Sequence, residues 1–287
     1  MNQNTAKKPR FPQIRSDFHM HSYHSGDSDT PMEDQIRAAL SLGLSSICFT
    51  EHLDMDWPYR NTPDLEPGTF DLDLDACRQE YLRLRDKYRG RLDIFYGVEL
   101  GLQPHLGDRL QAFAAAHPEF DFILGSTHVS RQMDPYYSIF FEGRTEEEAY
   151  RTYFTDSLLS LQAFHQIDSY GHMDYVVRYG PHQDRFYSYD RYRDVIDPIL
   201  ELLLEHDIAL EVNTAGLSKG LSQCNPCAGI IRRYRQMGGR KITVGADAHA
   251  PAAVAAGFNT AAAILTEAGF DTYYTFEGRQ AVPHRIL

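Results

Sequence analysis

The chain has 287 residues, 43% of them hydrophobic, which is enough for a substantial core, and a formal net charge of -12 without the basic footprint of a protein that binds long nucleic acid. No apolar run reaches the length of a membrane span, and the opening MNQNTAKKPRF is polar and basic, without the apolar stretch of an export signal. With few cysteines, these features predict a cytoplasmic protein in a reducing compartment, flexible over residues 1–12. Divalent ions would offset the acidic charge locally, so a small anionic substrate remains compatible with it.

A β-rich run at 14–18 opens the chain. Thr30-Pro31-Met32-Glu33 then reads as a capping box with proline at the first helical position, and Gly43 closes that helix. A second strand is predicted at 45–50. A loop rich in Asp, Pro and aromatics follows at 56–70, then a charged helix over 73–89 stopped by Gly90. Strands at 92–98 and 121–125 come next, then a second long loop at 131–145. Thr145-Glu146-Glu147-Glu148 starts a further helix. After a strand at 169–172, Ile196, Ile199, Leu200 and Leu203 recur at helical spacing in a helix ending near His206. Strands at 208–212 and 241–245 complete the pattern. Strand–helix alternation means parallel β/α units. The prediction is a single α/β domain over 1–287, a seven-stranded barrel (eight if one strand escapes the pattern). The two long loops would lie over its mouth.

The residues that follow the strands point to chemistry. His19-Met20-His21 follows the first strand and Glu51-His52 the second. Glu99 ends the third, His128 follows the fourth, and His172 ends the fifth. Asn213 follows the sixth, and Asp247-Ala248-His249 the seventh. In a β/α barrel the C-terminal strand ends converge on one mouth, where active sites sit. His19 and His21, two apart, face the same side of a regular strand. Imidazole and carboxylate donors suit zinc, manganese and iron. The candidates are too many for one ion, and Glu99 is the natural bridge. Ions held close together can clamp a phosphoryl group and acidify a water.

The motifs Asp17-Phe-His19-Met-His21, Ser25-Gly-Asp27-Ser28, Thr50-Glu51-His52, Gly97-Val-Glu99, Gly125-Ser-Thr-His128, Gly171-His172-Met-Asp174, Glu211-Val-Asn213-Thr214 and Gly245-Ala-Asp247-Ala-His249 occur in this order. Together they resemble the polymerase-and-histidinol-phosphatase (PHP) superfamily, and within it the histidinol-phosphatase branch. The resemblance implies a distorted (β/α)7 TIM-like barrel with three divalent ions at its mouth. It implies a first ion on His19, His21, Glu99 and Asp247, a second on Glu99, His128 and His172, and a third on Asp27, His52 and His249. Some superfamily members carry His at the position of Asp27. Arg178 is implied as a phosphate-binding arginine, for which a planar guanidinium is well suited. Lys219 reads either as a second anion contact or as a plain surface lysine. Asp247 or His249 could relay a proton, a role with which ligation competes. The implied activity is hydrolysis of a phosphate monoester, L-histidinol phosphate first, in histidine biosynthesis.

Asn225-Pro226 stands where this branch often has Tyr-Pro, and the loop after His128 also departs from the branch. Both loops are expected to touch the organic part of the substrate. Asp17, Glu51 and Asn213 are expected to orient imidazoles or waters. His24, His105, His117, His165, His182, His206 and His284 lie off the strand-end pattern and read as surface or capping groups. Cys224-Asn-Pro-Cys227 has no second pair and reads as two ordinary thiols. Trp57 reads either as a cover over the mouth or as loop packing. Other functions stay open: a phosphodiesterase on nucleotides or short oligonucleotides, a protein-phosphotyrosine phosphatase, or a metal-binding module without catalysis. The sequence leaves the oligomeric state undefined.

Overall fold

The computed structural model describes residues 13–286, so the flexibility predicted for 1–12 lies outside the described residues. Seven parallel strands follow chain order around a nearly closed barrel: β1 (Ser16–Met20), β2 (Ser46–Leu53), β3 (Asp93–Gly101), β4 (Phe122–Ser126), β5 (Ser169–Tyr170), β6 (Ala209–Asn213) and β7 (Ile242–Gly245). Around them lie α1 (Met32–Ser41), α2 (Leu74–Lys87), α3 (Gly107–Ala116), α4 (Glu146–Ala163), α5 (Tyr189–Glu205), α6 (Ala215–Ser218), α7 (Ala228–Gln236) and α8 (Phe258–Glu267). Strands buried on both faces need apolar residues on both, and β1, β4, β6 and β7 are buried along their whole length. Among the described residues no helix is long and apolar enough to cross a membrane.

Helix starts follow their caps. Asp73 accepts from Ala76 N at the head of α2, and Thr145 with Glu148 forms the predicted capping box of α4. The box predicted at Thr30 does not form: α1 begins after Pro31 without a side-chain cap, and the Thr30 hydroxyl donates to His249 O instead (2.8 Å). It thereby ties the turn before α1 to the loop after β7. The apolar stripe of α5 is buried as expected, through Ile196, Ile199, Leu200 and Leu203.

β2 and β3 run past their predicted ends, with Ser46↔Asp93 through Leu53↔Leu100 in continuous register. That register sets His52 beside Glu99. β1 meets β2 irregularly between Asp17 and Met20, at His19. β1 and β7 are the first and last strands of the sheet, joined by a single bridge, Met20↔Ala248. Asp17 reinforces this joint. Its carboxylate accepts from Ala246 N (3.0 Å) and Ala255 N (2.9 Å), so it anchors backbone, and among the described residues no imidazole nitrogen hydrogen-bonds to it.

The C-terminal strands β8 (Thr272–Glu277) and β9 (Gln280–Arg285) form an antiparallel hairpin apart from the barrel sheet, an element the sequence reading did not include. Phe276 joins Phe18, Cys48, Phe122, Leu124 and Ala209 in one buried cluster. At its turn, Gly278 N donates to Asp121 Oδ1 (3.0 Å), and Arg279 reaches the Asp168 carboxylate and Gln166 O. Asp121 and Asp168 precede β4 and β5, so the hairpin closes the end of the barrel opposite the mouth.

Candidate metal centre

Glu99 lies at the middle of the mouth, fully buried. Its Oε1 is 3.2 Å from His128 Nε2 and 3.0 Å from His172 Nε2. Its Oε2 is 3.1 Å from His19 Nε2, 3.5 Å from His21 Nε2 and 3.1 Å from His52 Nδ1. The two oxygens thus face two separate sets of imidazoles, the geometry of a bridging carboxylate. Burial opposes ionisation of Glu99, but the charges of His19, His128 and His52 hold it well below the usual carboxylate range.

Asp247 completes the first set, with Oδ1 at 3.6 Å from His19 Nε2 and 3.5 Å from His21 Nε2. Its φ of 54° is left-handed, a conformation that costs an L-residue about 1 kcal/mol and is found at functional sites. The turn continues β7 while bringing the carboxylate back over β1. A third set is more open. Asp27 Oδ2 lies 3.1 Å from His249 Nε2 and 3.5 Å from His52 Nε2, and the Asp27 side chain is 38% exposed. The His21 ring stacks between those of His52 and His249 (4.3 and 4.2 Å).

The donor set fits divalent metal. His21 Nε2 and His52 Nδ1 are buried without a hydrogen-bond partner although carboxylate oxygens stand close by. Such orphaned nitrogens are rare unless something else takes the lone pair. Burial, then the charges of His249 and His52, push the His21 imidazole down to about 3, which keeps it in the neutral, metal-binding form. Groups of three donors whose ligand atoms lie within 4.8 Å of one another include His19–His21–Glu99, Glu99–His128–His172 and His21–His52–His249.

The far nitrogens of His19, His128 and His21 are fixed by other side chains, while His172 Nδ1 has no hydrogen-bond partner among the described residues. Glu211 holds His19 Nδ1 (2.6 Å) through Oε1 and accepts from His172 N (2.8 Å) through Oε2. Asp54 holds His128 Nδ1 (2.8 Å). Ser25 Oγ links His21 Nδ1 (2.9 Å) to the Glu51 carboxylate (2.6 Å), so Glu51 orients an imidazole at one remove. Both missed carboxylates carry a local signal: Glu211 is two residues before Asn213 and Asp54 two after His52, on the same faces. Gly245 and Gly101 leave the room they need. A Cβ at Gly245 would overlap His19 and Glu211, and one at Gly101 would overlap Asp54.

Arg178 is buried beside Asp247. It donates through Nη1 to Asp247 Oδ2 (3.1 Å), through Nη2 to Asn213 Oδ1 (2.8 Å) and through Nε to Asn225 Oδ1 (2.9 Å). One hydrogen on each Nη remains for another acceptor. Asn225, expected against the substrate, is instead a buried clamp between Arg178 and Asp174 (2.6 Å). Above the centre a cavity of about 690 Å³ is lined by Arg178, the exposed Lys219, and residues of the two long loops. Trp57 both packs on Phe70 (4.3 Å) and lines this cavity. The off-pattern histidines are elsewhere: His24 pairs with Glu80, His105 with Asp56 and His117 with Glu119, while His165 stacks on His206. Cys224 and Cys227 are buried free thiols.

A family model described as the PHP domain matches residues 17–215. A probable histidinol-phosphatase of Clostridium acetobutylicum is 31% identical over 245 residues, 85% of this chain and 90% of the relative. The histidinol-phosphatase of Lactococcus lactis is 30% identical over 263 residues, 91% of this chain and 94% of the relative. The crystal structure of histidinol phosphate phosphatase from Lactococcus lactis, complexed with zinc, L-histidinol and phosphate, superposes with a TM-score of 0.82 at 29% identity and covers 93% of this chain and 98% of that one. The crystal structure of the putative histidinol phosphatase from Listeria monocytogenes shares the fold, with a TM-score of 0.69 at 19% identity over 85% of this chain and 99% of that one.

Proposed function

The chain belongs to the PHP domain family, and on that premise we propose that it is a metal-dependent histidinol-phosphatase of histidine biosynthesis, converting L-histidinol phosphate and water to L-histidinol and phosphate. The observation that carries this reading is the convergence of imidazoles on both oxygens of the buried Glu99, in a chain similar to a phosphatase solved with zinc, histidinol and phosphate. The proposed ligand sets are His19, His21, Glu99 and Asp247 for one ion, Glu99, His128 and His172 for a second, and Asp27, His52 and His249 for a third. Zinc, manganese and iron all suit these donors.

Divalent ions held there supply positive charge to the phosphoryl oxygens and an acidified water as nucleophile. The protein supplies position. Arg178, locked by Asp247, Asn213 and Asn225, offers its remaining Nη hydrogens to a phosphoryl oxygen. Lys219, on the cavity wall, adds positive charge for the same dianion. Asp247 and His249 are the proposed carriers of the proton that the leaving oxygen takes up. The loops 56–70 and 131–145 enclose the organic part.

The test is steady-state phosphate release by zinc- or manganese-loaded protein from L-histidinol phosphate, a nucleoside monophosphate, a dinucleotide and phosphotyrosine. The expected kcat/KM for histidinol phosphate is about 10⁴ M⁻¹s⁻¹ or above and well above the rest. Faster turnover of another ester would retain the metal chemistry and reject the substrate.

A further inference from the structure

The loop after β4 folds back over the mouth and is pinned there. Ser130 and Met133 exchange backbone hydrogen bonds (2.9 and 3.0 Å), and the Asp156 carboxylate accepts from Ser130 Oγ and Arg131 N (2.8 and 3.0 Å). This places Asp134 on the cavity wall with 6% exposure. Aspartate is seldom so buried unless paired. Its side-chain hydrogen bonds both end on Oδ1, from Tyr136 N (2.8 Å) and the Tyr175 hydroxyl (3.4 Å). Among the described residues Oδ2 takes no hydrogen bond, and no basic side chain lies within ion-pair distance. Burial pushes the Asp134 carboxyl up to about 7, against the opposing pull of the Tyr136 amide and of the charge of His128.

The surroundings suit a cation. Tyr175 packs against Tyr179 (5.1 Å), and Tyr179 against Tyr136 (5.4 Å), which forms an aromatic wall beside the carboxylate. Ring faces attract ammonium groups. Tyr175 also connects the two ends of the cavity: the Arg178 guanidinium lies over its ring (5.3 Å), while its hydroxyl reaches Asp134. One tyrosine side chain thus separates the group that holds an anion from a carboxylate that lacks a cation.

We propose that Asp134, walled by Tyr136, Tyr175 and Tyr179, is the subsite for an ammonium on the organic part of the substrate, and selects amino-alcohol phosphates over uncharged alcohol phosphates. This rests on the reading of the protein as a phosphate monoesterase. A site built to pair a buried polar group discriminates strongly against analogues lacking the partner, because the group is then left unpaired.

The test compares metal-loaded wild type with Asp134→Asn on L-histidinol phosphate and on its analogue without the amino group. The expected result is that the ratio of the two kcat/KM values, amine-bearing over amine-free, falls about 10-fold or more, through KM. The inhibition constant of L-histidinol should rise in step, and by more than that of inorganic phosphate. Tyr136→Ala, at an exposed rim position where folding is not at risk, should shift the same ratio in the same direction by about 3-fold. A ratio within about twofold of wild type in both variants overturns the proposal. So does an equal loss of kcat on both esters, which would make Asp134 a proton donor or a structural residue. If wild type does not prefer histidinol phosphate, it is the substrate reading that fails. The same ratio, measured on 3-aminopropyl and propyl phosphate, then decides the role of Asp134.

Discussion

Glu211 braces the candidate metal centre without belonging to any proposed ligand set. One oxygen fixes the His19 ring and the other the backbone of His172, so a single carboxylate aligns both halves of the Glu99 bridge. Glu211→Gln keeps the volume and loses the charge opposite His19 Nδ1. The expected effect is a metal affinity about 10–100-fold lower, read by competition with a chromogenic chelator. Affinity within about twofold of wild type would sink this account. Arg178 is held on three sides, and a lysine ammonium cannot reproduce that planar geometry. Arg178→Lys should therefore lose about 10²-fold in kcat/KM while metal content stays whole, by metal analysis beside steady-state rates. Lysine activity near wild type would mean that charge alone suffices. The proposed ligands other than Asp27 were legible because each lies at or just past a strand end, whereas Asp27, in the loop after β1, was legible only through the motif resemblance. Glu211 was legible only in part, since it shares a face with Asn213 two residues on but its partner His19 lies 192 residues away.

At the scale of elements, strand order was legible from alternation, because every barrel strand is a short buried run followed by a helix. Strand length was less so. β2 and β3 outrun their apolar segments because each continues through the polar residues that line the mouth. The β8–β9 hairpin broke the pattern that revealed the rest: it is antiparallel, and its burial alternates only in part. Thr272-Tyr-Tyr-Thr-Phe-Glu-Gly was its available signal. Its function is structural. Arg279 is the cation facing the buried Asp168, and removing it strands that carboxylate. Arg279→Ala should cost about 2 kcal/mol, less than for a fully buried pair because the arginine is partly exposed. Urea denaturation measures this, and adding Asp168→Asn should recover part of the loss. No recovery would show that the packing of Arg279 matters, rather than its charge.

For the whole molecule, imidazoles and carboxylates from nearly every strand end meet in one place, so ions bound there join parts of the chain that are remote in sequence. A ligand that binds only the folded state stabilises it by mass action. Chelated protein should therefore unfold at a midpoint at least about 5 °C below that of zinc-loaded protein, with full recovery when zinc is restored. Scanning calorimetry tests this, and coincident midpoints would mean that the barrel stands without its metals. Rebinding should also release protons, measurable in weakly buffered solution, because the imidazoles must be neutral to ligate.

The joint between β1 and β7 carries this further. Neighbouring strands elsewhere in the ring pair through backbone ladders, irregular between β1 and β2 and short on both sides of β5, but here the joint relies on one bridge, on the amides of His21, Asp247 and Ala248, and on the Asp17 carboxylate, all beside the candidate metal centre. His19 and His21 stand on one side of that seam, Asp247 and His249 on the other. Ions bound there would act as a clasp as well as a catalyst, with the circumference of the barrel set partly by coordination bonds. Backbone amide exchange should report it: the Asp247 and His21 amides would exchange slowly in the metal-loaded protein and quickly after chelation, while those of β2 and β3 keep their protection.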